Sequence, residues 1–140
     1  MADSATRARV DAWFVLLLLF GLASLANGAW MLVDSRGWFE QAAADVVPFN
    51  LHFVRDVGAA YFTAGAALLW AGFRAEWRGP LVATAALFHA LHAFGHVRET
   101  SSGELASLHW WLDLPSVYLP ALILAAMAVL FVRRSRPRAT

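Results

Sequence analysis

His89, His92 and His96 stand in one apolar stretch, Leu87-Phe88-His89-Ala90-Leu91-His92-Ala93-Phe94-Gly95-His96. At about 100° per residue the three imidazoles share one face of a helix. Neutral imidazoles at i, i+4, as in His92 and His96, suit zinc, copper, iron or nickel, and a carboxylate can ligate or orient them. Ala85 and Ala93 fall on the same side, so the space beside the imidazoles is expected to be free of large side chains. The run Pro80–Val97 has no formally charged residue and is long enough to cross a bilayer. Ionisable groups in such a segment are costly and turn to a bundle interior, a cavity or a ligand.

Two further groups can join this face. His52, Arg55 and Asp56 follow Pro48 and Asn50 at the start of another apolar run, and His109 and Asp113 stand at i, i+4 before a third. Three chemistries fit. A metal ion (copper, iron or zinc) could be held by His52, His89, His92, His96 or His109 with Asp56 or Asp113, and Arg55 would balance charge or hold an anionic group. A b-type haem could be ligated by His92 paired with His52 or His109. A His/Asp/Arg chain could instead move protons or bind an anionic or quinone-like headgroup. The pattern His-x-x-His-x-x-x-His lacks the Glu beside its paired histidines that a zincin motif needs. Imidazoles that only hydrogen-bond across a bundle are the plain alternative. His89 would lie about 10 Å deeper than His96, so one ion cannot readily take both.

The elements that must position these residues are membrane helices. Of 140 residues, 60% are hydrophobic and only 15% charged, too few charges for an ordinary soluble domain. Four runs are long enough to span, about residues 10–33, 49–73, 80–97 and 114–132. The expected fold is all-α, a four-helix transmembrane bundle forming a single membrane domain over residues 1–140. Net charge is +1, with a basic cluster only in the tail, so nucleic acid is not an expected partner. There is no cysteine, which excludes disulfides, thiolate metal sites, iron–sulfur clusters and c-type haem attachment. No nucleophile elbow or phosphate loop is present.

Arginine placement predicts the orientation. Arg7, Arg9, Arg74, Arg78, Arg133, Arg134, Arg136 and Arg138 would be inside, and only Arg36, Arg55 and Arg98 outside, with both termini cytoplasmic. All five histidines then lie toward the outer side. Arg7 and Arg9, the apolar core after them and Ala23-Ser24-Leu25-Ala26 also allow a signal-peptide reading. Against that reading, apolar sequence resumes at Ala29–Val33 and gives a spanning length.

The connecting and packing features are also legible. Ser24 and Gly28 form a small-xxx-small pair, and Gly58, Gly65, Ala60 and Ala64 give the second span small faces for packing. Asn27, Trp30 and Asp34 share a face, with Asn27 expected to hydrogen-bond another helix and Asp34 to be solvated. Trp38–Ala44 is expected to lie in the interface with its aromatics in the headgroup layer. Asn50 is a candidate N-cap, Pro80 and Pro115 suit first turns, Asp113 is a candidate cap, and Trp110 and Trp111 form an interfacial pair.

The stretch Pro48-Phe49-Asn50-Leu51-His52-Phe53-Val54-Arg55-Asp56-Val57-Gly58, followed by Tyr61 and Gly65, resembles the second helix of small bacterial four-helix membrane proteins of the broader DoxX-like group. His89–His96 and Leu112-Asp113-Leu114-Pro115 are similar to later helices of such proteins. The resemblance implies a four-helix bundle in the bacterial cytoplasmic membrane and a link to redox complexes, and it transfers no catalytic residue. The leading expectation is a metal or haem site in a redox or metal-handling role. The alternatives are a non-catalytic subunit or assembly factor of a larger membrane complex, docking through the Gly/Ala faces of the first two spans, and a small-molecule or proton-coupled carrier. A homo-oligomer is compatible with each.

Overall fold

The computed structural model describes residues 11–44 and 48–134, and the described residues form helices and connections with no strand. Arg7, Arg9, Arg136 and Arg138, which carry part of the orientation argument, lie outside the described residues. Helix α1 runs Ala12–Val33, α2 Ser35–Ala42, α3 Leu51–Phe73, α4 Arg78–Ser102, α5 His109–Leu112 and α6 Leu119–Arg134. A 3-10 turn, Ala75–Trp77, joins α3 to α4, and a π-helical turn, Leu114–Tyr118, joins α5 to α6. The segments Ala12–Val33, Ala75–Ser102 and Leu114–Arg134 are long and apolar enough to cross a membrane. Helix α3 has 23 residues but is not among these segments, its apolarity diluted by His52, Arg55, Asp56 and its glycines.

The helix boundaries follow from local chemistry. The Asp11 carboxylate accepts from the Phe14 amide at 2.7 Å and starts α1, satisfying one of the free N–H groups at the helix end. Asn50 does the same for α3 through the Phe53 amide, as its place after Pro48 predicts. Asp34 is not simply solvated. It closes α1 and caps α2 by accepting from the Gly37 amide at 3.0 Å. Helix α4 extends to Ser102, beyond the expected end at Val97, and stops at Gly103, whose φ of +81° is the left-handed cap that glycine adopts most easily. The expected helix from Leu114 is present, and its first five residues are π-helical rather than α-helical. Pro115 and Pro120 offer no N–H to the ladder, and the Asp113 carbonyl accepts from both Val117 and Tyr118, at 2.8 and 3.1 Å.

Helix α1 packs on α3, α3 on α4, and α4 on α6. The α1–α3 crossing is built on glycine. A Cβ at Gly28 would meet the Phe62 amide nitrogen and come 2.6 Å from the Gly58 carbonyl oxygen, and one at Gly65 would come 2.8 Å from the Gly21 carbonyl oxygen. The Gly faces of the first two spans, read from sequence as a possible docking surface, are therefore occupied by each other. One apolar core joins Leu17, Leu68, Val82, Leu124 and Phe131 across all four long helices. A second joins Met31, Phe39, Val54 and Tyr61 at the other end. Phe39 of α2 is buried there and stacks edge-on against Phe49, so it turns into the protein rather than into a headgroup layer.

At the end opposite the histidines, Arg78 ties the chain together. Its guanidinium donates to Asp11 at 2.9 and 3.3 Å and to the Ala71 and Gly72 carbonyls that α3 leaves free. The Arg78 hydrogen bond, then that of the Phe14 amide, holds the Asp11 carboxyl below its ordinary value. A depressed folded-state pKa adds stability that is present at neutral pH and is lost as pH falls below about 4 toward the folded value. Asp11 is 41% exposed, so the pair is worth about 0.5–1 kcal/mol. Thermal unfolding of Asp11→Asn in detergent should start lower than wild type at pH 7, with the gap closing near pH 3. An equal gap at both values would contradict this account.

Candidate functional site: a histidine-lined cleft

Helix α4 presents its histidines to the rest of the molecule in sequence order. His89 is 3% exposed and its Nε2 lies 3.4 Å from the Ser24 hydroxyl of α1. Tyr61 of α3 sits edge-on to His89 and His92, with ring centroids 5.6 and 5.5 Å away. Phe88 stacks on His92 at 6.1 Å, and the His92 and His96 rings are 4.7 Å apart. The apolar and aromatic packing fixes the ring positions, and the i, i+4 spacing brings His92 and His96 into contact.

Asp113 organises the far end of this row. Its Oδ2 is 2.8 Å from His96 Nδ1 and 3.5 Å from His109 Nδ1. A carboxylate only accepts, so His96 Nδ1–H is the donor, and in the neutral ring Nε2 keeps its lone pair. Asp113 and His109 are both buried, and the His96 side chain is 18% exposed. The π turn that follows Asp113 brings this carboxylate over the end of α4. Short π segments of this kind recur where a helix is reshaped around a site.

The row faces a cleft of about 500 Å³ bounded by Phe20, Ser24 and Asn27 of α1, Tyr61 of α3, the three α4 histidines, and Asp113 with Pro115–Val117. Such a volume matches sites for small organic molecules, which are apolar with a few convergent polar groups. At the arginine end α1 meets α6 through Trp13 and Phe131, rings 5.2 Å apart, and the cleft lies farther along, where the reshaped start of the last helix faces α1. A second cleft of about 300 Å³ lies across the imidazoles, lined by Met31, Phe39, Phe53, Leu91 and Glu99. His92, His96, Trp38 and Val57 line both clefts, so they form the partition.

The sequence-predicted residues divide into two groups. His89, His92, His96, His109 and Asp113 are brought together. His52, Arg55 and Asp56 are not. His52 Nε2 and Asp56 Oδ2 pair at 3.4 Å on the outer surface of α3, 88% and 65% exposed, and Arg55 is exposed beside them. None of the three lines either cleft. His52 and Asp56 lie on the face of α3 opposite the buried Val54, Gly58 and Tyr61, and Arg55 lies to one side of it. The space beside the imidazoles also has a different origin from the one expected. Ala85 and Ala93 are buried in apolar clusters, Ala93 against Val117 and Ala121, and it is Ala23 and Ser24 of α1 that border the cleft. Among the described residues, no set of three or more His, Asp and Glu side chains is arranged to hold a metal ion.

Sequence reasoning missed Tyr61, Ser24 and the role of α2. Tyr61 is one of only two tyrosines, inside an apolar helix, which was the available signal. Asn27 bonds another helix, as expected: its Oδ1 accepts from Trp38 Nε1 of α2 at 2.9 Å, which ties α2 to α1 beside the cleft. A comparison of the chain with protein-family models, with curated proteins and with solved structures finds no match.

Proposed function

We propose that this chain is a four-helix integral protein of the bacterial cytoplasmic membrane, with both termini cytoplasmic, that binds a small amphipathic molecule in the histidine-lined cleft. The supporting observation is the cleft itself, apolar along most of its wall with His92, His96 and Asp113 converging at one place. In this reading α3 crosses the membrane with the other three long helices, and the positive-inside bias sets the cleft toward the outer face. The His96–Asp113 pair holds one tautomer, so Nε2 of His96 accepts a hydrogen bond from a ligand hydroxyl. His92 beside it, with ring centroids 4.7 Å apart, offers a second hydrogen-bonding group to the same ligand. A headgroup of hydroxyl, phenol or quinone type suits these donors and acceptors, with an apolar tail along Phe20 and Val117.

A second reading is favoured by one observation. A carboxylate on Nδ1 is the usual outer partner of a metal-ligating imidazole, and it would leave His96 Nε2 and the adjacent His92 to take copper, iron or zinc. The haem version of this reading loses the His52–His92 pair, since His52 is exposed on α3. A visible spectrum and elemental analysis of protein purified in mild detergent separate the two readings. The amphiphile reading predicts no Soret band and no metal near one per chain, with an organic molecule in the solvent extract. Stoichiometric metal or a Soret band with an empty extract would establish the second.

A further inference from the structure

The face of α3 turned away from the cleft has the wrong chemistry for lipid. His52, Asp56, Ala59, Thr63, Ala66 and Trp70 are all exposed and recur at alternating spacings of four and three. That period draws a nearly straight seam along a helix. A charged residue facing lipid deep in a span costs about 2.5–3.5 kcal/mol. Asp56 lies only about 8 Å along the helix from Leu51, at its outer end, so part of that cost is relieved by headgroups. The rest of the seam is small or aromatic, Thr63 donates its hydroxyl to the Ala59 carbonyl at 2.8 Å, and nothing among the described residues covers it.

The charges say what covers it. About the seam, Asp56 lies roughly 40° to one side and Arg55 roughly 60° to the other, from 100° per residue. Two copies of the chain inserted in the same sense meet through a two-fold axis parallel to the helices. That symmetry puts residues offset to one side on one helix beside residues offset to the other side on its mate. Asp56 of each copy therefore falls beside Arg55 of the other, twice, and neither carboxylate faces its own image. Ala59, Thr63 and Ala66 then let the backbones approach below the ion pairs. We propose that α3 is the dimer interface of this protein, closed by two reciprocal Arg55–Asp56 pairs. The inference rests on α3 crossing the membrane.

The chain has no cysteine, so a single introduced thiol reports on one position alone. Thr63→Cys, placed in native membranes and oxidised with copper phenanthroline, should form a cross-linked dimer. Leu22→Cys, on the exposed face of α1, should not. Adding Asp56→Arg to Thr63→Cys should cut the cross-link roughly tenfold, as should Arg55→Asp, because each places like charges together in both pairs. Co-expressing the two charge variants should restore it, since every contact is then again opposite in sign. No Thr63→Cys cross-link above the Leu22→Cys background overturns the proposal, as does a cross-link that both charge variants leave unchanged. Resistance of each variant to alkaline extraction reports insertion separately, so failure of the membrane reading is distinguished from failure of the dimer.

Discussion

Gly28→Leu is expected to disrupt the α1–α3 pair and with it the folded protein. The α1–α3 crossing brings the backbones so close that even a Cβ at Gly28 meets the Phe62 amide nitrogen and the Gly58 carbonyl oxygen, neither of which is the movable end of a side chain. Only a shift of one whole helix makes room. That shift would open the contacts of Met31 with Val54 and Tyr61 at one end and of Leu17 with Leu68 at the other. Overpacking a core costs about 1–3 kcal/mol where side chains can give way, and here backbone must move, so about 3 kcal/mol or more is expected. The measurement is thermal unfolding in detergent, with Gly95→Ala as the companion. Gly95 is mid-helix with nothing within 4 Å of a built Cβ. That change should therefore raise stability by about 0.5–1 kcal/mol through helix propensity alone. Equal effects of the two substitutions would refute the close-packed crossing.

The second large effect is expected at Asp113. Asp113→Ala removes the acceptor of the 2.8 Å bond to His96 and the carboxylate 3.5 Å from His109. A charge-assisted hydrogen bond contributes about 1.5–3 kcal/mol, and its loss leaves a partly buried imidazole free to turn and to change tautomer. Binding in the cleft should fall at least roughly tenfold, one decade per 1.4 kcal/mol. Asp113→Asn is the informative comparison, because its amide oxygen still accepts from Nδ1–H and should retain part of the binding. Titration with a hydroxyquinoline or quinone probe, read by quenching of the tryptophans near the cleft, measures both variants. Indistinguishable affinity in wild type and Asp113→Ala would remove Asp113 from the site.

Much of this was legible in the sequence, and the exceptions have physical causes. The long helices follow from hydropathy, and the Asn50 cap of α3 and the place of Pro80 in the first turn of α4 follow from residue type. The α4 histidine row follows from the helical period. What hydropathy cannot report is which face of a helix another helix claims. His52, Arg55 and Asp56 have the same spacing logic as His92 and His96, yet Val54, Gly58 and Tyr61 on the opposite side of α3 take the interior and turn them outward. Trp38 and Phe39 read as interfacial aromatics because their partners, Asn27 and Phe49, lie in other elements. The π turn at Leu114–Tyr118 needed Pro115 and Pro120 to be read together, since either alone is tolerated in a first turn.

The central claim is that the cleft beside His92 and His96 holds a small amphipathic molecule. Native mass spectrometry of the protein released from lipid nanodiscs tests it most directly. The account predicts a chain carrying one small organic adduct, shed at modest collision energy and absent from a folded His92→Leu, His96→Leu variant. A wild-type chain that flies with no adduct, or with the same adducts as the variant, would contradict it.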